Sequence, residues 1–264
     1  MTSAGACNSV RKVTARRVAS LVVAAEAPTP TTLVGALLLV LAVWSILIAG
    51  ALGEPALGSN VPTLLSFLAA AALVAGVEPR LRPRGDSVSL LGLGVTAGFA
   101  SYPAWITSVG MIGLALDLPI ESHPAPADGA ALLVPVVLLG PSFEELLYRE
   151  RLLLPLRRVV GSPAAVVATS VVFAASHVRP WFVLTALLLG LLLGATRLVA
   201  GSVALCIGIH MGLNLAAVAC GLPPARLALP PPAAAAAGLS VLGLAIWLAR
   251  WRNASKPARV TSNP

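Results

Sequence analysis

Long apolar runs, cut at intervals by proline, glycine and charge, leave this chain little choice of solvent. Measured against the ~20 apolar residues a helix needs to cross hydrocarbon, eight runs read as spans. They lie at about 33–52, 61–77, 88–116, 130–157, 163–178, 181–199, 202–220 and 233–250. The breaks between them are GEPALGSNVP, EPRLRPRGD, DLPIESHPAPADG, GSP, RP, GS and GLPPARLALPPP, all rich in turn residues. With 58% hydrophobic and 11% charged residues, the chain lacks the polar surface a water-soluble domain exposes. Ala, Leu, Val and Gly dominate and aromatics are few, which favours helices packed closely through small residues over barrel strands with period-2 alternation. The expected fold is all-α: a polytopic transmembrane helix bundle of about eight spans.

The net charge of +8 belongs to the loops and tails, where it reads as topology and not as a nucleic-acid surface. Arg11, Lys12, Arg16 and Arg17 precede the first span. Arg80, Arg82, Arg84, Arg157, Arg158, Arg197, Arg250, Arg252, Lys256 and Arg259 fall on the same side if eight spans are counted. The opposite loops hold Arg179 and Arg226 among basic residues and gather Glu54, Asp117, Glu121 and Asp128. The positive-inside rule then puts both termini in the cytoplasm of a multi-pass cell-membrane protein. VASLVVAA followed by AEA imitates a signal peptide, but its length suits a cytoplasmic basic tail better. The organisation expected is a basic tail (1–32), N-terminal transmembrane helices (33–129), a polar-residue core (130–220) and a last helix with a disordered basic tail (221–264). Cys7, Cys206 and Cys220 form no paired framework and read as packing residues.

The fourth run contains what a bilayer tolerates least. Glu144 and Glu145 lie in PSFEELLYRERLLLPLRR, and an ionised carboxylate at mid-bilayer costs at least ~2.5–3.5 kcal/mol. Arg149, one helical turn past Glu145, can pair with it, whereas Glu144 points about 100° away and is left for another task. That difference suits one carboxylate as charged scaffold and the other as base. His177 ends VVFAASH; His210 and Asn214 share a face of GIHMGLN. Helix rise puts Glu144 ~21 Å and His177 ~22 Å from the turn at 158–162, with His210 ~12 Å and Asn214 ~18 Å from Ser202. Polar groups of three spans therefore converge in depth. Taken singly each has a plainer use: Glu145 with Arg149 as a structural ion pair, the histidines and Asn214 as interhelical glue, Tyr148 and Trp181 as interfacial anchors, His123 as a solvated loop residue. Pro135 and Pro141 are expected to kink or loosen the span beside the carboxylates. Ser176 adjoins His177, but adjacent helix residues do not face each other, which argues against a Ser/His pair.

EELLYR matches EExxxR, FAASH matches FxxxH and HMGLN matches HxxxN, in that order and on separate spans. In this the chain resembles the CPBP family of intramembrane proteases, also called the Abi or CAAX prenyl protease type II family. The resemblance covers roughly 130–220. It implies hydrolysis of a peptide bond in or near the membrane: some members trim prenylated CAAX proteins, and bacterial relatives are linked to peptide processing, immunity and export. Carried onto this chain, it makes Glu144 the base that activates water with help from His177, gives Glu145 and Arg149 the shaping of the site, and makes His210 and Asn214 the oxyanion donors. Many bacterial relatives have glycine after the motif arginine, where this chain has Glu150.

The residues alone support the same chemistry, since hydrolysis needs an activated water, a proton carrier and oxyanion donors. Glu144, His177 and His210 are also candidate metal ligands, so zinc or another divalent metal and a metal-free glutamate mechanism both stay open. The partners expected are membrane lipid and a peptide or membrane-anchored protein substrate, with no nucleic acid and the oligomeric state open. Two other readings compete. One is a catalytically silent scaffold or bacteriocin-immunity factor on the same fold; the other is a proton-coupled transporter, which would favour repeated halves that this sequence does not display.

Overall fold

A computed structural model describes residues 30–57, 65–66, 68–70, 72–74, 85–118, 133–177, 179–220 and 232–254. The expected signal-like segment, Cys7, the His123 loop and the C-terminal tail lie outside these residues. The described residues contain helix and no strand. In chain order they form α1 (Pro30–Leu57), α2 (Gly85–Ala115), π1 (Leu133–Leu139), α3 (Gly140–Glu145), π2 (Leu146–Leu152), α4 (Leu153–Val160), α5 (Ser162–Ala175), α6 (Pro180–Ala200), α7 (Val203–Cys220) and α8 (Pro232–Ala254). Residues 65–66, 68–70 and 72–74 are helical too, and fall inside the expected second span. α6 and α7 are long and apolar enough to cross a membrane by length and composition.

The outward faces of the bundle are apolar. Leu38, Val88, Leu114 and Leu239 are each more than half exposed, while the interior keeps buried Glu145, Arg149, Thr169, Ser170 and His210. Such an inside-out distribution is the one a hydrocarbon solvent selects, because lipid solvates Leu and Val while polar groups need protein partners.

The expected fourth span is one helical path with two widened stretches, and each widening runs up to a proline. A helical proline clashes with the carbonyl four residues back and removes an N–H. Pro141 follows π1, and Pro155 follows π2. The wider winding accommodates the ring and leaves the chain helical. The expected loosening near the carboxylates therefore takes the form of π-helix on both sides of Gly140–Glu145. Gly161 (φ 83°) and Gly201 (φ 68°) turn the chain sharply after α4 and α6, a conformation that suits a residue without Cβ. Arg179 is extended (ψ 134°) before Pro180, which starts α6 at its first turn.

α7 lies along α2, the most extensive helix contact among the described residues; α8 also packs on α2, and α5 on α6. The α2–α7 crossing rests on Gly94 and Gly98 facing Gly208 and Gly212. A Cβ on Gly94 would stand 2.6 Å from the Leu205 carbonyl oxygen; one on Gly98 would strike the Ile209 carbonyl, and one on Gly212 that of Val95. Backbone meets backbone here, with no side chain able to give way. His210 lies midway between Gly208 and Gly212 in sequence, so at 100° per residue it projects about 180° from the glycine face. The crossing thus fixes how far α7 pushes His210 toward the interior. Cys206 is buried, its thiol directed at the Leu193 and Ser202 carbonyls, whereas Cys220 is exposed and does not pack as expected.

Gly98→Ala and Gly212→Ala should each lower the thermal midpoint of the detergent-solubilised protein, consistent with about 1–3 kcal/mol of overpacking. Gly92→Ala, whose Cβ would meet nothing within 4 Å, should not lower it. Equal midpoints for all three would refute the crossing.

Candidate active site

Glu145 is the buried centre of the polar cluster. Its side chain has 0% exposure, as does that of Arg149 one turn on, and Arg149 Nε stands 3.0 Å from Glu145 Oε2. This is an ion-pair contact not aligned as a hydrogen bond, and Arg149 Nη1 and Nη2 are buried without hydrogen-bond partners among the described residues. The guanidinium instead lies over the Phe173 ring, its Cζ 5.4 Å from the centroid, within cation–π range. The other oxygen, Glu145 Oε1, is 3.1 Å from His210 Nδ1. A single carboxylate therefore links the 140–152 segment to α7.

Glu144 is placed differently. Its side chain keeps 18% exposure, and its Oε2 is 3.8 Å from His210 Nε2, beyond hydrogen-bond length. One imidazole thus has a glutamate at each ring nitrogen. The expectation that the two adjacent carboxylates occupy unlike environments corresponds to this geometry: one sealed and ion-paired, one partly open.

Asn214 is oriented by a backbone defect. Its Nδ2 donates to the Val136 carbonyl at 2.9 Å. In a π-helix that carbonyl would accept from the N–H five residues on, which here is Pro141 and has none. The amide supplies the missing donor and retains its second N–H for another acceptor.

His177 lies just beyond the last residue of α5. Its Nδ1 is 3.2 Å from the Phe173 carbonyl and 3.2 Å from Ser176 Oγ. The adjacent-residue argument against a Ser176–His177 contact fails because α5 ends at Ala175 and both residues fold back on its last turn. No hydrogen bond joins His177 to Glu144 among the described residues; the two histidines approach each other through the Phe173 ring, 5.2 Å from His177 and 6.1 Å from His210 between centroids, both edge to face.

Three further side chains complete the site. Phe173 (1% exposed) is the ring that Tyr148, Arg149, His177 and His210 share. Tyr148 is buried, not interfacial, and its hydroxyl accepts from Trp44 Nε1 at 2.7 Å, tying α1 to π2. Trp181 is buried too, its ring occupying space that Gly113 leaves empty. Tyr148 and Phe173 stand in the two motifs, but Trp44 sits in an apolar run whose sequence carries no sign of a polar task. Glu150, the residue after the motif arginine, accepts from Arg197 Nε and Nη2 at 3.0 and 2.7 Å and ties π2 to α6 at a partly exposed edge.

Residues 126–216, about a third of the chain, match the family described as Type II CAAX prenyl endopeptidase Rce1-like. The chain is similar to that family over this segment. These residues hold all three motifs, so the resemblance seen in EELLYR, FAASH and HMGLN extends through the sequence around them. No curated protein and no solved structure matches the chain.

The candidate metal ligands do not form a donor set: no group of three or more His, Cys, Asp or Glu able to hold an ion is present among the described residues. His177 is turned to its own helix through Nδ1, and His210 Nδ1 is engaged by Glu145. Both contacts leave Nε2 available, the orientation a metal-ligating histidine takes, but Glu144, His177 and His210 are not gathered into one donor set among the described residues.

Arg149→Met should strand the buried Glu145 charge and destabilise the protein by about 3–5 kcal/mol. Glu145→Gln combined with Arg149→Met should recover much of that loss. Thermal midpoints of the purified variants decide it, and a single variant as stable as the parent would mean that Glu145 is not held as an ion pair.

Proposed function

We propose that this chain is an intramembrane endopeptidase that hydrolyses a peptide bond of a membrane-associated peptide or protein with water activated by Glu144. It is read as a multi-pass cell-membrane protein with about eight spans and cytoplasmic termini, on the apolar runs and basic loops of the sequence. The observation that carries the mechanism is the contrast between adjacent carboxylates: Glu145 is closed off between Arg149 and His210, while Glu144 is partly exposed and free to meet a water. The Rce1-like match supplies the class of reaction.

In this reading Glu144 takes a proton from water as the oxygen attacks the peptide carbonyl. The carbon–nitrogen bond then breaks, and Glu144 returns the proton to the leaving amine. Asn214, steadied by the Val136 carbonyl, offers its free N–H to the developing oxyanion. His210 donates Nδ1–H to Glu145, so it can also donate from Nε2 only when the ring carries both protons. Arg149 and Glu145 act through position, and His177 assists the water.

New peptide termini surveyed in membranes of cells expressing the unmodified protein should disappear with Glu144→Gln at matched levels, a loss of about 10²-fold or more. Asn214→Ala should reduce the same products by about 10²-fold, as expected for a lost oxyanion donor. Identical profiles from folded parent and Glu144→Gln protein would transfer the assignment to a silent scaffold or immunity role.

A further inference from the structure

We propose that Ser176 is a positioning residue: together with the Phe173 carbonyl it fixes His177 as the Nδ1–H tautomer, leaving Nε2 unprotonated as the ring's working nitrogen. The use made of that nitrogen rests on the protease reading above; the tautomer itself does not.

The Phe173 carbonyl lies in the last turn of α5, which ends at Ala175, and accepts the Ser176 N–H three residues on, at 3.2 Å, in place of an N–H four residues on. Two side chains also converge on this oxygen: Ser176 Oγ at 2.6 Å and His177 Nδ1 at 3.2 Å. A carbonyl only accepts, so the Nδ1 contact is a hydrogen bond only if Nδ1 carries the proton. Ser176 could in principle reverse that choice by donating to Nδ1, 3.2 Å away. Its proton is already committed to the shorter bond with Phe173, so its oxygen presents lone pairs to the ring. Both neighbours of Nδ1 are therefore acceptors.

In a neutral imidazole, a proton on Nδ1 leaves a lone pair on Nε2. The plane of the ring is set by edge-to-face packing on Phe173, which Tyr148 braces at 5.1 Å and Trp44 holds through the Tyr148 hydroxyl. His177 is thus prepared to accept a hydrogen bond from the attacking water while Glu144 removes its proton. His210 has the same polarity at Nδ1, but a carboxylate takes the place of the carbonyl. Each histidine is fixed by an acceptor outside the reacting centre, and in His177 that acceptor pair is supplied within five consecutive residues, FAASH.

The test is nitrogen NMR of the full chain in lipid nanodiscs, with labelled histidine, at a pH above the titration range of histidine. The His177 signal is the one missing from His177→Gln. The unmodified protein should report protonated Nδ1 and bare Nε2. Ser176→Ala should move the tautomer ratio about 5-fold toward Nε2–H, the weight of one hydrogen bond, and Ser176→Thr, which restores the hydroxyl, should return it. An Nε2–H ring in the unmodified protein, or a ratio unmoved in Ser176→Ala, overturns the proposal. The expected tautomer alongside peptide termini indifferent to Glu144→Gln would uphold the positioning role and defeat the protease reading, so the two fail separately.

Discussion

A buried carboxylate shared between a guanidinium and an imidazole organises this structure. Glu145 has no exposure, and in an interior of low dielectric an unpaired charge there would be prohibitive. Its two oxygens meet Arg149 and His210, so the 140–152 segment and α7 are joined by a demand of desolvation and not by apolar contact alone. Apolar contact has little selectivity between helices when the solvent is itself apolar. The ion pair and the α2–α7 glycine crossing supply what lipid does not: one specifies which side chains must meet, the other how closely the backbones approach. Arg149, stacked on Phe173, extends the same constraint to α5.

Much of this was legible in the residues. The apolar runs located the helices to within a few positions, because hydrocarbon thickness and punctuating Gly and Pro are strong signals. The pairing of Glu145 with Arg149 followed from their spacing, and the depth argument placed residues of α3, α5 and α7 near one another. What failed to show in the sequence depended on local departures from the α-helix. Ser176 and His177 could meet only because α5 stops at Ala175, and spacing rules for helices do not apply beyond a terminus. Tyr148 and Trp181 resembled interfacial anchors, but burial depends on what a distant segment offers: Trp44 for one, the vacancy at Gly113 for the other. Gly94 and Gly98 look ordinary in a chain rich in small residues until α7 is laid against them.

The irregular backbone explains the orientation of the site. In a bilayer an unpaired carbonyl finds no water, so each one created by a proline or a helix end must be answered from within the protein. Pro141 withholds a donor from Val136, and Asn214 answers it; where α5 ends, the Phe173 carbonyl takes the Ser176 N–H and also draws in the Ser176 and His177 side chains. Glu145, the buried anion, is answered by His210. Asn214, Ser176, His177 and His210 are thus each held by an acceptor that belongs to the scaffold.

Glu144 is the exception, and its isolation follows from the same logic. Asn214, His177 and His210 are each turned to an acceptor other than Glu144, and His210 Nε2 stands 3.8 Å from Glu144 Oε2, beyond hydrogen-bond length. A carboxylate so placed, with 18% of its side chain exposed, has capacity left for an outside proton donor such as water. The second N–H of Asn214 and, in the tautomer proposed above, Nε2 of His177 are the unspent groups of residues held by their first contacts. On the protease reading, the arrangement separates two duties that compete when one group performs both: the first hydrogen bond of each residue sets its direction, and the remaining capacity is left for chemistry.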